Sequence, residues 1–306
     1  MDWLRRLAGQ VSQGLQGPQL PSAATLPVAP VFCTRAAAIS DVGLVRSNNE
    51  DRTLLALQPL PAGLSGGRGG DRVSVAALAD GMGGHQAGEV ASELALEAAQ
   101  RALHAAAKLP AAQALTQALV AANAEVYAEA QRRIDRQGMG TTLVLLLLRD
   151  EGAHYAWLGD SRLYHLHQGQ LRQLGEDDTV VRHLVKEGAL TEAQALVHPD
   201  RNVLAQALGT HAQIPWLHVA GPVPIVAGDS FMLCSDGLHD VVTEPRIQEL
   251  LCEGPAADCC RALIDEAKRC GSDDNISVAV VQILALDGAV TQPRSLRATV
   301  AHEAGA

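Results

Sequence analysis

Apolar residues along this chain follow two patterns, one typical of strands and one typical of helices. Short continuous apolar runs that are bounded by turn residues predict strands buried on both faces. Runs of this kind occupy residues 75–79, 143–148, 153–158, 231–234 and 276–283. Because several of them follow one another closely, they fit strands in the core of a β-sandwich.

The helical pattern is clearest between residues 88 and 138, where apolar side chains recur every three or four positions. It is interrupted at Leu109-Pro110, so it predicts two helices that pack antiparallel through Ala-rich stripes. Two further helices are expected after Pro245 and Pro255, because proline fits the first turn of a helix. Residues 176–205 mix polar and helical patterns and predict a surface flap.

These elements outline one domain at residues 35–287. Residues 1–34 continue from a short Leu/Arg stretch into a Gln-, Gly- and Pro-rich linker, which predicts a flexible N-terminal segment. Residues 288–306 are expected to form a C-terminal tail. No signal peptide or membrane insertion is indicated, since the longest apolar run, 143–148, is far too short to cross a bilayer. We expect a cytoplasmic monomer.

Three of the apolar runs lie beside an aspartate. Asp80 and Asp236 each follow a run and precede a glycine, and Asp274 precedes the last run. Strand ends of this kind can bring carboxylates from distant parts of a chain to one edge of a sheet, and the Gly81 carbonyl offers a further oxygen. Because Mg²⁺ and Mn²⁺ prefer carboxylate, carbonyl and water oxygens, the sequence predicts an oxygen-lined metal site.

Each Asp-Gly pair taken alone is also the commonest kind of turn. The turn interpretation therefore stays open for any one of them, and only the set, with Glu50-Asp51 and Gly159-Asp160 beside it, favours a metal site. Carboxylates that converge within about 4 Å repel one another by a few kcal/mol at intermediate dielectric. Without a cation, such a cluster must take up protons or open.

The composition narrows the class of partner. The chain carries 24 Lys+Arg against 34 Asp+Glu, a formal net charge of −10. Because no basic run stands out, nucleic acid and anionic membranes are not expected as partners. The six cysteines include no C-x-x-C pair, so they predict reduced, buried thiols rather than disulfides or zinc ligands.

Six short motifs, taken in order, add a family resemblance. They are Arg46-Ser47-Asn48-Asn49-Glu50-Asp51, Ala79-Asp80-Gly81-Met82-Gly83-Gly84-His85, Gly140-Thr141-Thr142, Gly159-Asp160-Ser161-Arg162, Cys234-Ser235-Asp236-Gly237-Leu238 and Asp274-Asn275-Ile276-Ser277-Val278. The set resembles the PPM (PP2C-like) family of metal-dependent protein serine/threonine phosphatases, in its bacterial form, over roughly residues 35–287. The resemblance implies an α+β fold in which a central β-sandwich is flanked by α-helices on both sides.

The resemblance also implies a centre of two or three cations, Mn²⁺ or Mg²⁺. Asp80 would bridge two of them, and the Gly81 carbonyl would bind one. Asp236 and Asp274 would complete the ligands of the second cation. Glu50 would act mainly through metal-bound water.

Three further roles follow from the same resemblance. Asp160, together with Asp236, would hold a third cation. Arg46 would bind the substrate phosphate, a task that suits a planar bidentate donor. His85 would be the candidate acid that protonates the leaving alkoxide.

The expected function is hydrolysis of phosphoserine and phosphothreonine in proteins by direct attack of a metal-activated water. The implied partners are phosphorylated proteins and a cognate Ser/Thr kinase. Two other classes stay open. A non-catalytic phosphoprotein-binding module should lack a metal ligand, whereas a phosphodiesterase or nuclease with two metals should show a basic groove if its substrate is a nucleic acid.

Overall fold

The computed structural model describes residues 32–59, 71–83 and 87–285, and strands and helices alternate in it largely in the expected order. Several sequence predictions lie outside these residues. They concern the N-terminal segment up to residue 31, His85, and the tail after residue 285.

The described residues contain eleven strands. In chain order these are β1 (Phe32–Asp41), β2 (Asp51–Pro59), β3 (Asp71–Met82), β4 (Gly140–Thr141), β5 (Leu143–Arg149), β6 (Gly152–Leu158), β7 (Arg162–His167), β8 (Gln170–Leu174), β9 (His218–Val223), β10 (Ser230–Cys234) and β11 (Ile276–Ala285). One sheet has the order β1-β11-β10-β7-β8. The other has the order β2-β3-β5-β6-β9, and β4 pairs with the end of β3. Neighbouring strands are antiparallel throughout both sheets.

The two sheets share an apolar core between their inner faces. Leu146 of β5 and Phe231 of β10 belong to this cluster, and both are fully shielded from solvent. Burial of one such side chain contributes about 1.5–3 kcal/mol. Leu145 points to the opposite face of β5 and is equally buried, but against helices. Because both faces of the strand are covered, its sequence is a continuous apolar run rather than an alternating one.

The described residues contain seven α-helices. The seven are α1 (Ala87–Ala105), α2 (Ala111–Arg132), α3 (Val180–Lys186), α4 (Glu192–Leu196), α5 (Asp236–His239), α6 (Glu244–Leu251) and α7 (Ala256–Arg269). Four of them, α1, α2, α6 and α7, cover the outer faces of the sheets. Helices α1 and α2 pack against the β2–β9 sheet through small side chains such as Ala95 and Ala118. Helices α6 and α7 pack against the other sheet through larger ones such as Leu250 and Leu263. The expected sandwich with helices on both sides is confirmed.

The five apolar runs correspond to β3, β5, β6, β10 and β11, whereas the edge strands β8 and β9 are among those that the runs do not predict. β8 and β9 each lie at the edge of a sheet and are only partly buried. β9 contains Gly221-Pro222, which weakens a strand pattern but is tolerated at an edge, where a missing N–H costs no ladder hydrogen bond. Within the described residues, no helix has the length and apolar character needed to span a membrane.

Candidate metal centre

Asp80 lies near the end of β3, at the edge of the β-sandwich where several loops meet. The antiparallel register places Asp51, the first residue of β2, directly opposite it. The backbone of Asp80 is held on its other side, because its N–H donates to Thr142 Oγ1 at 2.9 Å and its carbonyl accepts from Thr142 N at 2.8 Å. These bonds fix the direction in which the carboxylate leaves the strand.

Asp236 enters the same region from the other sheet. Strand β10 ends at Cys234, Ser235 follows, and Asp236 begins the short helix α5. Ser235 connects the two sheets, because its Oγ donates to Asp51 Oδ2 at 2.7 Å and accepts from Ser277 N at 3.0 Å. One fully buried hydroxyl therefore holds the Asp51 carboxylate and anchors the residue that precedes Asp236.

Asp274 stands just before β11, and its neighbour Asn275 orders the surrounding loops. The Asn275 amide donates to the carbonyls of Val42 and Asn48, at 3.0 and 2.9 Å, while its Oδ1 accepts from Glu50 N at 2.9 Å. One buried amide thus ties the Asp274 turn to the loop that carries Arg46 and Glu50.

Glu50 is half-buried between β2 and the start of α1. Its carbonyl accepts from Gly81 N at 3.2 Å and from Ser92 Oγ at 2.6 Å. Glycine is required at positions 81 and 88, which lie on the two sides of the Glu50 backbone contact. A Cβ at Gly81 would lie 2.0 Å from the Gly88 carbonyl oxygen, and a Cβ at Gly88 would lie 2.4 Å from Glu50 Oε2. The two glycines allow the backbone to approach the site closely.

Asp160 lies in the turn between β6 and β7 and is 8% exposed. Its carbonyl is within 3.1 Å of His239 Nε2, which attaches the turn to α5. The same turn is anchored by Asp178, whose Oδ2 accepts from Gly159 N at 3.2 Å and from Gln206 Nε2 at 2.9 Å. Asp178 therefore links the Asp160 turn to the predicted flap.

The acids share one cleft of about 730 Å³. Its lining includes Arg46, Glu50, Asp80, Gly81, Asp160, Asp236 and Asp274. Residues 202–204, at the end of the flap, line it as well. Beside it lies a second cavity of about 460 Å³, between the β7–β8 hairpin and helices α3 and α4, and Asp160 lies between the two. The end of the flap segment therefore borders the cleft.

The cleft destabilises negative charge in the metal-free protein. Burial raises the pKa of Asp80 well above its ordinary value, and the charges of Asp51 and Asp236 raise it further. Burial and Asp236 likewise raise the pKa of Asp160. The pKa of Glu50 is also raised, chiefly by burial. Cations bound among these carboxylates would remove the repulsion and keep them ionised.

Two buried carboxylate oxygens among the described residues are consistent with a donor set that fits cations. Asp51 Oδ1 and Asp236 Oδ1 are buried and have no hydrogen-bond partner. A buried polar atom without a partner costs about 1–3 kcal/mol, and more when it is charged, so such atoms are rare. An all-oxygen set of carboxylates beside a backbone carbonyl suits Mg²⁺ or Mn²⁺.

The acids are spread along the cleft rather than gathered around one point. In the part of the chain that the structure describes, a single trio of His, Cys, Asp or Glu side chains has its ligand atoms all within 4.8 Å of one another, and it lies elsewhere. Water and the Gly81 carbonyl would therefore have to supply some of the ligands of any cation bound among these acids.

Arg46 stands at the mouth of the cleft and is 56% exposed. Its Nη2 donates to Asp274 Oδ2 at 2.7 Å. Burial alone would lower the pKa of Arg46, but the carboxylates of Asp274, Glu50 and Asp236 raise it above the ordinary value. The guanidinium is therefore a permanent cation beside the acids.

The structure thus brings the six predicted metal ligands and Arg46 to one cleft, while their roles as ligands stay a prediction. His85 lies outside the described residues, so its role also stays a prediction. Asp51, which was not among the predicted ligands, proves to be a buried acid directly opposite Asp80. Its signal in the sequence is its place next to Glu50, but only the register of β2 on β3 shows that it faces Asp80.

Comparison with known proteins identifies the family. The family model described as protein phosphatase 2C matches residues 65–262. The chain belongs to the protein phosphatase 2C family. The family resemblance seen in the ordered motifs is thereby confirmed.

Two curated relatives show how much of the chain this kinship covers. Serine/threonine protein phosphatase PstP of Mycobacterium tuberculosis is 39% identical over 259 residues, which are 85% of this chain and 47% of PstP. This chain therefore spans about half the length of PstP. Serine/threonine phosphatase stp of Listeria monocytogenes is 33% identical over 250 residues, which are 79% of this chain and 93% of stp.

Solved structures show the same kinship in the fold. The crystal structure of M. tuberculosis PstP/Ppp matches with a TM-score of 0.71 at 38% identity, covering 83% of this chain and all of that one. The catalytic domain of PstP in complex with two manganese ions matches with a TM-score of 0.68 at 36% identity and the same coverage of this chain.

Proposed function

We propose that this protein is a metal-dependent protein serine/threonine phosphatase that hydrolyses phosphoserine and phosphothreonine by direct attack of water. The observation that carries the proposal is the shared cleft of Asp80, Asp236 and Asp274, with buried, unpartnered oxygens on Asp51 and Asp236. Membership of the protein phosphatase 2C family and the names of the relatives support the same activity.

The residues that would hold the cations follow from the cleft. Asp80 would bridge two Mn²⁺ or Mg²⁺ ions, with the Gly81 carbonyl on one of them and Asp236 and Asp274 on the other. Two manganese ions are bound in the related PstP catalytic domain, which supports this number. When bound, such cations acidify water enough for it to attack phosphorus near neutral pH and neutralise charge on the phosphoryl oxygens.

The chain's own residues would position the attacking water and the metal ligands around it. Asp51 Oδ2 accepts from Ser235 Oγ, while Oδ1 is buried and has no hydrogen-bond partner. Glu50 is fixed by the bonds to its backbone, so its carboxylate can orient water at the side of the cleft. Asp160, with Asp236, would hold a third cation near the flap.

Arg46 would bind the substrate phosphate. In this structure one guanidinium nitrogen contacts Asp274 while more than half of the side chain faces solvent. A planar guanidinium can keep that contact and still offer further N–H donors to two phosphate oxygens. His85 would donate a proton to the leaving serine or threonine oxygen.

We further propose that the substrates are proteins phosphorylated by a cognate Ser/Thr kinase, and that the protein acts as a monomer in the cytoplasm. The acidic net charge of −10 and the cleft rich in carboxylates support a phosphoprotein rather than a nucleic acid as the substrate. Arg46 gives the mouth of the cleft a local positive charge that can attract a phosphate monoester.

The test compares substrate classes. Purified protein with excess Mn²⁺ is given a phosphothreonine peptide, a cyclic dinucleotide and single-stranded DNA, and product release is measured with and without EDTA. Release of phosphate from the peptide alone, abolished by EDTA, is the expected result. Hydrolysis of a diester instead would mean a phosphodiesterase or nuclease. Tight binding of the peptide without turnover would mean a non-catalytic module.

A further inference from the structure

A second group of potential metal ligands lies away from the catalytic cleft. His165 and His167 are two residues apart on β7, so both side chains project from the same face of the strand. Asp229 stands just before β10 and contacts both rings, with Oδ2 at 3.1 Å from His165 Nε2 and Oδ1 at 2.8 Å from His167 Nδ1. The three ligand atoms all lie within 4.8 Å of one another.

This cluster, the His165/His167/Asp229 site, is separate from the acids of the cleft. Strand β7 starts at Arg162, next to Asp160, and ends at His167. At about 3.3 Å per residue, the strand carries His167 roughly 17 Å away from its cleft end. The site therefore lies at the opposite end of the sandwich.

The three side chains are held in place before any ion arrives. The His165 ring stacks on the fully buried Phe231, with centroids 4.5 Å apart and planes 4° apart. Asp229 is 1% exposed, its Oδ2 accepts from Val226 N at 3.0 Å, and its carbonyl accepts from Ile283 N at 2.8 Å. Such hydrogen bonds behind a ligand fix its orientation and strengthen metal binding.

The donor set selects a different class of cation from that of the cleft. Two imidazole nitrogens and one carboxylate oxygen suit Zn²⁺ and related divalent transition ions, whereas Mg²⁺ prefers oxygen. In a tetrahedral site with bonds of about 2.0–2.2 Å, neighbouring donor atoms lie roughly 3.3 Å apart. The observed 2.8 and 3.1 Å contacts need only a small outward movement to reach this separation, and the two ring nitrogens, which lie within 4.8 Å of each other, would adopt the same separation around the ion.

Access and charge are compatible with binding. The His167 side chain is 43% exposed, so an ion can reach the site from solvent. Arg172 pairs with His165 in the register of β7 and β8, but it is exposed and free to extend into solvent.

We propose that His165, His167 and Asp229 form a binding site for one Zn²⁺-class transition ion, which ties β7 to the turn before β10. The proposal is independent of the phosphatase activity, because it uses no residue of the cleft. If no ion binds, Asp229 serves only as a hydrogen-bond acceptor shared by the two histidines. The experiment below distinguishes this structural role from metal binding.

The test is a Zn²⁺ titration of the full chain in excess Mg²⁺, with a chromophoric chelator as competitor. Wild-type protein is expected to bind one Zn²⁺, and His167→Gln, which alters the most exposed ligand, to bind it at least about tenfold more weakly. His104→Gln, a change to an exposed histidine at the end of α1, and Asp236→Asn in the cleft should leave this affinity unchanged.

Two readouts keep the result clear. Co²⁺ in place of Zn²⁺ should give the strong visible absorption of a tetrahedral site in wild type and lose it in His167→Gln. Zn²⁺ should also raise the melting temperature of Mg²⁺-saturated wild type but not of His167→Gln. Equal Zn²⁺ affinity in wild type and His167→Gln, or no Zn²⁺ uptake by Mg²⁺-saturated wild type, would overturn the proposal.

Discussion

Asp51 and Asp80 face each other across β2 and β3, at the point where the two strands reach the cleft. Asp51 is 1% exposed, and its charge adds to the effect of burial in raising the pKa of Asp80. Two acids in this relationship cannot both ionise cheaply in the absence of a cation. This repulsion lowers the stability of the metal-free protein. The stability should therefore depend strongly on bound metal and on pH.

The first prediction concerns the stability of the metal-free protein against pH. Burial raises the pKa of Asp51 and of Asp236 to about 6. A carboxyl whose pKa is raised in the folded state favours folding most at low pH, where it is protonated in both the folded and the unfolded protein. That contribution is lost as pH rises through about 6, so the melting temperature in EDTA should fall over this range.

Mn²⁺ should have the opposite effect. The carboxylates must be ionised to bind it, so the rise in melting temperature that Mn²⁺ causes should be small near about pH 5 and large near about pH 8. Thermal melts with EDTA and with Mn²⁺ at both pH values measure this difference. Identical melts with and without Mn²⁺ at both pH values would contradict a metal centre among these acids.

Asp236→Asn is predicted to remove the activity and leave the fold intact. Loss of groups that merely support a metal ligand already costs about 10–100-fold, so loss of a ligand should lower p-nitrophenyl phosphate hydrolysis by at least about 100-fold. Circular dichroism should match wild type, since the amide fills the same space. Asp258→Asn, an exposed change near the start of α7, serves as the control and should keep full activity.

Arg46→Lys is predicted to weaken substrate binding. Lysine is a point charge and cannot donate the paired hydrogen bonds of a guanidinium, so KM for a phosphothreonine peptide should rise roughly 10- to 100-fold. The Arg46–Asp274 ion pair is largely exposed and contributes about 0–1 kcal/mol, so the melting temperature should hardly move. Arg261→Lys is the matched exposed control. An unchanged KM in Arg46→Lys would remove Arg46 from the phosphate site.

Gly237→Ala is predicted to destabilise the protein and to disturb the cleft at the same time. A Cβ at this position would lie 2.0 Å from the Asn275 carbonyl oxygen, so the backbone must shift. Overpacking of this kind costs about 1–3 kcal/mol, measurable by urea unfolding. Because Asn275 also holds Asn48 and Glu50, KM should rise as well. Wild-type stability in this variant would show that the close approach is not a constraint.

The sequence predicted the site residues well where an acid lies directly beside an apolar run. Asp80, Asp236 and Asp274 each adjoin an apolar run, so strand ends and acids could be read together, and the ordered motifs gave the family. The helices followed from spacing, and Leu115, Leu119 and Val126 of α2 are all fully buried.

The sequence was less informative where long-range pairing decides the outcome. Asp51 came to lie opposite Asp80 only through the register of β2 on β3, and His165 met Asp229 only through the pairing of β7 with β10. The edge strands β8 and β9 carry polar residues or Gly-Pro, so their patterns are weak. In each case, the missing information lies in contacts between segments that are distant in the chain.

Electron paramagnetic resonance of the protein with two equivalents of Mn²⁺ tests the central claim most directly, because a shared bridging carboxylate couples the two ions magnetically. We expect an exchange-coupled signal in wild type that is replaced by the signal of isolated ions in Asp80→Asn. A spectrum of isolated Mn²⁺ alone in the wild-type protein would contradict the binuclear centre.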